Sequence, residues 1–136
     1  MKFGEIVNNI SEPPHPRGIS IEGKLVSLKP LVADKFSKEL FLSNALDKEN
    51  INWAYLPYGP FKAEPEYHKW IESFEKKDDP VFFAIISKKR NKAIGIASYL
   101  RINPADGLIE VGHINYSPLL QRTTEATEAM FLMMKW

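Results

Sequence analysis

The chain has 136 residues, the size of a single domain, with 44% hydrophobic and 26% charged residues, close to the averages of soluble globular proteins. Its 18 Lys and Arg exceed its 17 Asp and Glu by one, in short mixed groups, so neither nucleic acid nor an anionic membrane has an electrostatic footprint to meet. There is no cysteine, which excludes disulfides, thiolate metal sites and a Cys nucleophile.

Residues Met1 to Ile10 carry Glu5 and two Asn and do not read as a signal peptide. No apolar run approaches the ~20 residues of a membrane span, so a soluble cytoplasmic protein is expected. The prolines of Pro13-Pro14-His15-Pro16-Arg17-Gly18 forbid regular helix, and residues 1–18 read as an extended arm ahead of a domain over 19–136. Ile19 to Leu28 alternates apolar and polar residues around Gly23, which predicts one strand or a short hairpin closed by Lys29-Pro30. From Asp34, the expected N-cap, Phe36, Leu40 and the Leu42 to Leu46 region recur at helical spacing.

Asn52 to Phe61 is dense in aromatics and broken by Pro57, Gly59 and Pro60, as in an ordered loop. Pro65 then opens a second helix with Tyr67, Trp70, Ile71 and Phe74 on one face, ended by Lys76-Lys77-Asp78-Asp79-Pro80. Three strands follow, Val81 to Ser87, Ala93 to Ile102 and Leu108 to Tyr116, whose short polar links make them antiparallel neighbours. Beyond Ser117-Pro118 the helical period returns: Ala126, Ala129, Met130 and Met133 form a stripe that Thr127, Phe131 and Met134 broaden, as for a helix buried on more than one side. This helix has no stop signal before Trp136, so further sequence is expected beyond it; the alternative is a helix that frays at its natural end.

The order strand, two helices, antiparallel strands and buried helix resembles the first two thirds of the GNAT N-acetyltransferase fold. Tyr55-Leu56-Pro57-Tyr58-Gly59-Pro60-Phe61, the run Ile109 to Arg122 and Ala126-Thr127-Glu128-Ala129-Met130 resemble the RimJ/RimL-type branch of that superfamily, over nearly the whole chain. The resemblance implies an α/β (α+β) fold, a largely antiparallel sheet flanked by helices with its C-terminal part missing. It also implies acetyl-CoA as co-substrate, no metal, and a primary amine as acceptor, either a protein N-terminus or a small molecule.

In that family the strand matching Leu108 to Tyr116 offers main-chain groups to pantetheine, here Ile114, Asn115 and Tyr116. The loop after it grips the pyrophosphate with a Gln/Arg-x-x-Gly-x-Gly/Ala pattern, matched by Gln121, Arg122, Thr123, Thr124, Glu125 and Ala126, with Thr127 following. The central Gly is Thr124, whose Cβ crowds the close approach that Gly permits, yet successive N–H groups at a helix start favour phosphate whatever the side chains. Without the family, Gln121 to Thr127 is a helix start with threonines near its cap.

Glu110 is the candidate base for the attacking amine, or else a solvated strand carboxylate. His113 falls on the opposite face of an alternating strand, where packing or hydrogen bonding is its expected role. Trp53, Tyr55 and Tyr58 resemble the aromatic loop that walls the acceptor pocket, or else form a satellite core. His15 and His68 are too isolated to suggest a metal site, and no Ser-His-Asp arrangement can be placed.

Complete relatives add elements that form the other wall of the cleft and supply a general-acid Tyr, so little turnover is expected of this polypeptide alone. The strand Leu108 to Tyr116 then becomes an open edge beside an apolar helix, and self-association follows. Two other readings stay open: a non-catalytic remnant that binds CoA weakly or only self-associates, and a ligand-binding domain unrelated to acyl transfer.

Overall fold

The computed structural model describes residues 2–6, 8 and 11–136, so the expected arm over 1–18 lies partly outside the described residues. Its described part contains neither helix nor strand. The alternating stretch around Gly23 is a hairpin in which β1 (Ile21–Glu22) and β2 (Val26–Pro30) pair antiparallel, Ile21 opposite Leu28. Gly23 N donates to Val26 O at 2.9 Å, and the Glu128 carboxylate accepts from the amides of Lys24, Leu25 and Val26 at 2.9, 2.6 and 2.8 Å.

α1 (Ala33–Asn44) begins one residue before the expected cap: the N-cap is Val32, and Asp34 lies inside the first turn. The reason is tertiary. Glu75 Oε1 accepts from Ala33 N at 2.5 Å, so a carboxylate from α2 (Glu64–Glu75) satisfies the first amide of a helix that has no side-chain cap of its own. Pro65 sits in the first turn of α2 as predicted, and Tyr67 and Ile71 are buried. The two helices are also tied at His68, whose Nδ1 lies 3.1 Å from Ser37 Oγ and whose Nε2 lies 3.5 Å from Asp34 Oδ1. A Ser-His-Asp contact therefore exists where the sequence offered none. Ser37 is buried and donates to Glu64 Oε1 at 2.5 Å, so its hydroxyl is committed to a carboxylate and joins helices instead of attacking a substrate.

β3 (Val81–Ser87), β4 (Lys92–Asn103) and β5 (Leu108–Tyr116) complete a five-stranded antiparallel sheet in the order β1-β2-β3-β4-β5. Strand alternation divides its residues between two cores. Val26, Leu28, Phe83, Ile85, Ile94, Ala97 and Tyr99 face α3 (Thr124–Lys135), meeting Leu120, Ala129 and Met133. Phe82, Ala84, Ala93 and Ile96 face α1, α2 and the aromatic loop, meeting Leu40, Trp53, Tyr67 and Ile71. This mixed α/β architecture, a largely antiparallel sheet flanked by helices, is the expected one. α3 departs from expectation in being covered on one side: Ala129 and Met133 are buried, while Phe131 and Met134 are 53% and 70% exposed. Among the described residues β5 pairs only with β4, leaving an open edge where Leu108, Ile109 and Ile114 are partly exposed.

Candidate functional site

The end of β5 is irregular where the sequence suggested plain alternation. Gly112 pairs with Ser98, but Asn115 pairs with Ile96, so His113 and Ile114 together oppose the single residue Ala97. His113 takes φ +48°, the left-handed conformation that such a bulge requires and that a bulky residue seldom adopts. The extra residue turns the His113 ring onto the α1–α2 side, stacked on Tyr58 at 5.7 Å and against Phe82 at 5.3 Å. Gly112 shares a cross-strand row with Phe82 through Ser98, which places Glu110, two residues earlier, on that same side. The expectation that His113 and Glu110 lie on opposite faces is thus corrected: the bulge inverts the alternation between them.

Glu110 is half-exposed and paired with Arg101, itself in a left-handed conformation at a second irregularity of the β4–β5 pair. His113 is held below its usual 6.5 chiefly by burial; nearby Glu110 opposes that shift and Arg101 adds to it. Asn115, 1% exposed, also faces the α1–α2 side, and both polar atoms of its side chain lack a partner among the described residues. Trp53 is buried at the centre of an aromatic cluster, 6.4 Å from Tyr58, 5.5 Å from Phe61 and 6.3 Å from Tyr67. Tyr58 is pushed well above the usual tyrosine range by burial, so its unpartnered hydroxyl stays protonated. Trp53 therefore packs as a core residue, and Tyr58 lies between that core and β5. Tyr55 is fully exposed and belongs to neither.

The loop between β5 and α3 begins with Ser117, whose amide and hydroxyl both donate to Ile94 O and pin the strand end to β4. Gln121 is occupied: its Nε2 donates to Tyr116 O at 2.7 Å and Asn52 Oδ1 at 2.5 Å, and its amide donates to Ser117 O. It positions the aromatic loop against β5 and has no side-chain donor aimed at the helix start. Thr123 caps α3, its Oγ1 accepting from Ala126 N at 3.1 Å while its carbonyl takes Thr127 N at 3.3 Å. The amides of Ala126 and Thr127 are thereby used. Those of Arg122, Thr123, Thr124 and Glu125 have no acceptor among the described residues.

Beside these amides lies a cleft of about 500 Å3 lined by Lys24, Lys88, Lys89, Arg90, Thr123 and Thr124. Lys88 bonds Gly23 O and pairs with Glu22, and Arg90 lies 3.7 Å from the buried Glu125, whose carboxylate also accepts from Ser87 Oγ. Lys24 and Lys89 have no ion-pair partner among the described residues. A helix start with uncommitted amides beside four cations has the donor set of a polyphosphate site. The sequence could not reveal it, because the cations come from two turns distant in sequence from the loop and gather only when the sheet forms. Among the described residues no group of three or more His, Asp or Glu side chains is placed to hold a metal, and no helix is long and apolar enough to cross a membrane.

No protein-family model matches the chain, and no curated protein matches it. Solved structures do. A GCN5-related N-acetyltransferase from Brucella melitensis superposes with a TM-score of 0.89 at 37% identity over 95% of this chain and 58% of its own length. A probable acetyltransferase of the GNAT family from Chromobacterium violaceum gives 0.86 at 33% identity over 99% of this chain and 67% of its own. The microcin C7 self-immunity acetyltransferase MccE, in complex with acetyl-CoA and AMP, shares the fold with a TM-score of 0.64 at 17% identity, over 83% of this chain and 62% of its own. The chain thus spans about three fifths to two thirds of the length of these proteins.

Proposed function

The chain belongs to the GNAT acetyltransferase family, and from that premise we propose that it is the acetyl-CoA-binding part of an N-acetyltransferase of the RimJ/RimL type. Its reaction is the transfer of an acetyl group to a primary amine, on a protein N-terminus or a small molecule. The observation that carries this reading is the run of uncommitted amides from Arg122 to Glu125, opening beside the Lys24, Lys88, Lys89 and Arg90 cleft. Donors fixed at a helix start meet a diphosphate without reorganisation, and the neighbouring cations offset its charge. Main-chain groups of Ile114, Asn115 and Tyr116 on the open edge of β5 are suited to the amide-bearing arm of the same molecule.

The thioester supplies the activated acyl group. Glu110 accepts the proton that the attacking amine loses as the N–C bond forms and the C–S bond breaks, and the departing thiolate takes a proton from solvent. The Arg101 pair engages Oε2 of Glu110 and leaves Oε1 for the proton. Tyr58, lying over His113, forms the acceptor side of this region, with Trp53 packed behind it in the core. Self-association through the β5 edge and the exposed Phe131 and Met134 is a second reading, favoured by their exposure; a single monomeric species by light scattering would remove it.

Calorimetry with acetyl-CoA tests the principal reading. Binding is expected to weaken with salt and to fall about 3–10-fold in Lys89→Ala, whose side chain lies on the surface. Glu110→Gln should leave that affinity unchanged and cut whatever acetyl transfer the chain supports by about 100-fold or more. Absence of acetyl-CoA binding at any salt concentration overturns the reading.

A further inference from the structure

A second cleft, of about 250 Å3, opens on the far side of the aromatic cluster from His113, between the end of α1, the turn after it and the start of α2. Two of its wall residues, Asn44 and Tyr67, are more than nine-tenths buried, and each keeps a polar atom, Asn44 Oδ1 and the Tyr67 hydroxyl, without a partner among the described residues. Folding rarely leaves such atoms unsatisfied unless something else serves them. Burial pushes the Tyr67 hydroxyl well above the usual tyrosine range, so it remains a donor.

The rest of the lining has a definite charge pattern. Asp47 spends one carboxylate oxygen on Asn52 N, at 2.7 Å, and keeps the other. Lys48 and Lys62 stand exposed at the mouth without ion-pair partners among the described residues. Trp53 and Phe61, with ring centres 5.5 Å apart, supply an apolar wall. The volume is below the about 300–1,000 Å3 of pockets for drug-sized ligands, so the occupant is small.

We propose that this cleft binds a free α-amino acid with an apolar side chain, apart from any site for the acyl donor. Its ammonium group is received by the free carboxylate oxygen of Asp47, its carboxylate by Lys48 and Lys62, and its side chain by the aromatic wall. The geometry stands without reference to acetyl transfer. Trp53 belongs both to this wall and to the cluster that reaches Tyr58 and His113.

The test is titration of the folded chain with L-phenylalanine and L-leucine in the absence of acetyl-CoA, followed by two-dimensional NMR of backbone amides and the Trp53 indole. Saturable shifts at residues 44–53 and 61–67 are expected, with L-phenylalanine amide and 3-phenylpropionate each binding about tenfold more weakly because each lacks one charge. Lys62→Ala, at an exposed position that leaves the fold intact, should weaken L-phenylalanine by about 3–10-fold. No shift with either amino acid up to about 10 mM overturns the proposal. So does an amide that binds as well as the free acid, or a Lys62→Ala variant with unchanged affinity. Because acetyl-CoA is absent throughout, failure here leaves the acyl-transfer reading standing, and the reverse also holds.

Discussion

The two faces of this sheet are built from different chemistry. Under α3 the core is largely aliphatic and, the Tyr116 hydroxyl apart, its polar groups are satisfied: Tyr99 OH donates to Met133 O at 2.6 Å, Ser117 Oγ to Ile94 O, and Ser87 Oγ to Glu125. Under α1 and α2 the core is aromatic and carries six of the seven buried polar atoms that lack partners among the described residues, on Asn44, Asn52, Tyr58, Tyr67 and Asn115. The seventh, the Tyr116 hydroxyl, packs on the α3 side at the end of β5. A face with its hydrogen bonds closed serves as scaffold, whereas open ones retained at a cost mark a surface shaped for a ligand.

The comparison breaks most sharply at Phe83, fully buried on the α3 face and packed edge-on to Tyr99 at 5.6 Å. Phe83→Ala should cost about 3–5 kcal/mol in chemical denaturation. A loss under 1 kcal/mol would mean that this face is not the scaffold.

A paired substitution tests the sign of the difference. Tyr99→Phe leaves Met133 O unsatisfied and is expected to destabilise by about 1–2 kcal/mol. Asn115→Leu removes two unpartnered atoms from the other face and is expected to stabilise by about 1–2 kcal/mol. Equal losses in both variants would contradict the idea that the α1–α2 face holds unused hydrogen-bonding capacity.

The element pattern was legible because it rests on periodicity: all three helices and the three long strands lie where apolar spacing put them, and the hairpin turns at Gly23. What the sequence concealed was set by tertiary contact. α1 starts at Ala33, ahead of the Asp34 expected to cap it, and the Ala33 amide is met by Glu75, forty-two residues away. The bulge at His113 has only the neighbouring Gly112 as a signal, since neither residue 113 nor 114 is glycine, and pairing with β4 is what locates it. Gln121 reads as a phosphate ligand and instead holds Tyr116 and Asn52, while Lys24, Lys88 and Lys89, unmarked in sequence, line the cleft. Tyr55 lies within the aromatic motif but turns to solvent.

The smallest expected effects come from pH and separate the faces by where they begin. His113 has its folded pKa lowered, so the unfolded chain takes up the proton first: stability starts to fall as pH drops below about 6.5 and levels off below the folded value. His113→Gln should flatten that portion of the curve. Glu128, which binds the β1–β2 turn on the α3 side, behaves differently. Burial raises its pKa, but the amides of Val26, Leu25 and Lys24 together with Lys88 outweigh that and leave it lowered. Its contribution is complete above about 4.5 and is lost as pH falls through the lowered folded value, with Glu128→Gln costing about 1 kcal/mol or less at this partly exposed site. Thermal melts across this range should therefore show two separate steps.

The central claim is that the start of α3 is a phosphate grip made of main-chain donors, and backbone amide NMR reads those donors one by one. Titration with acetyl-CoA is expected to move the amides of Arg122, Thr123, Thr124 and Glu125 most, leaving those of Ala126 and Thr127, already bonded to Thr123, less affected. Saturable binding that shifts resonances elsewhere and leaves residues 122–125 in place would contradict the account.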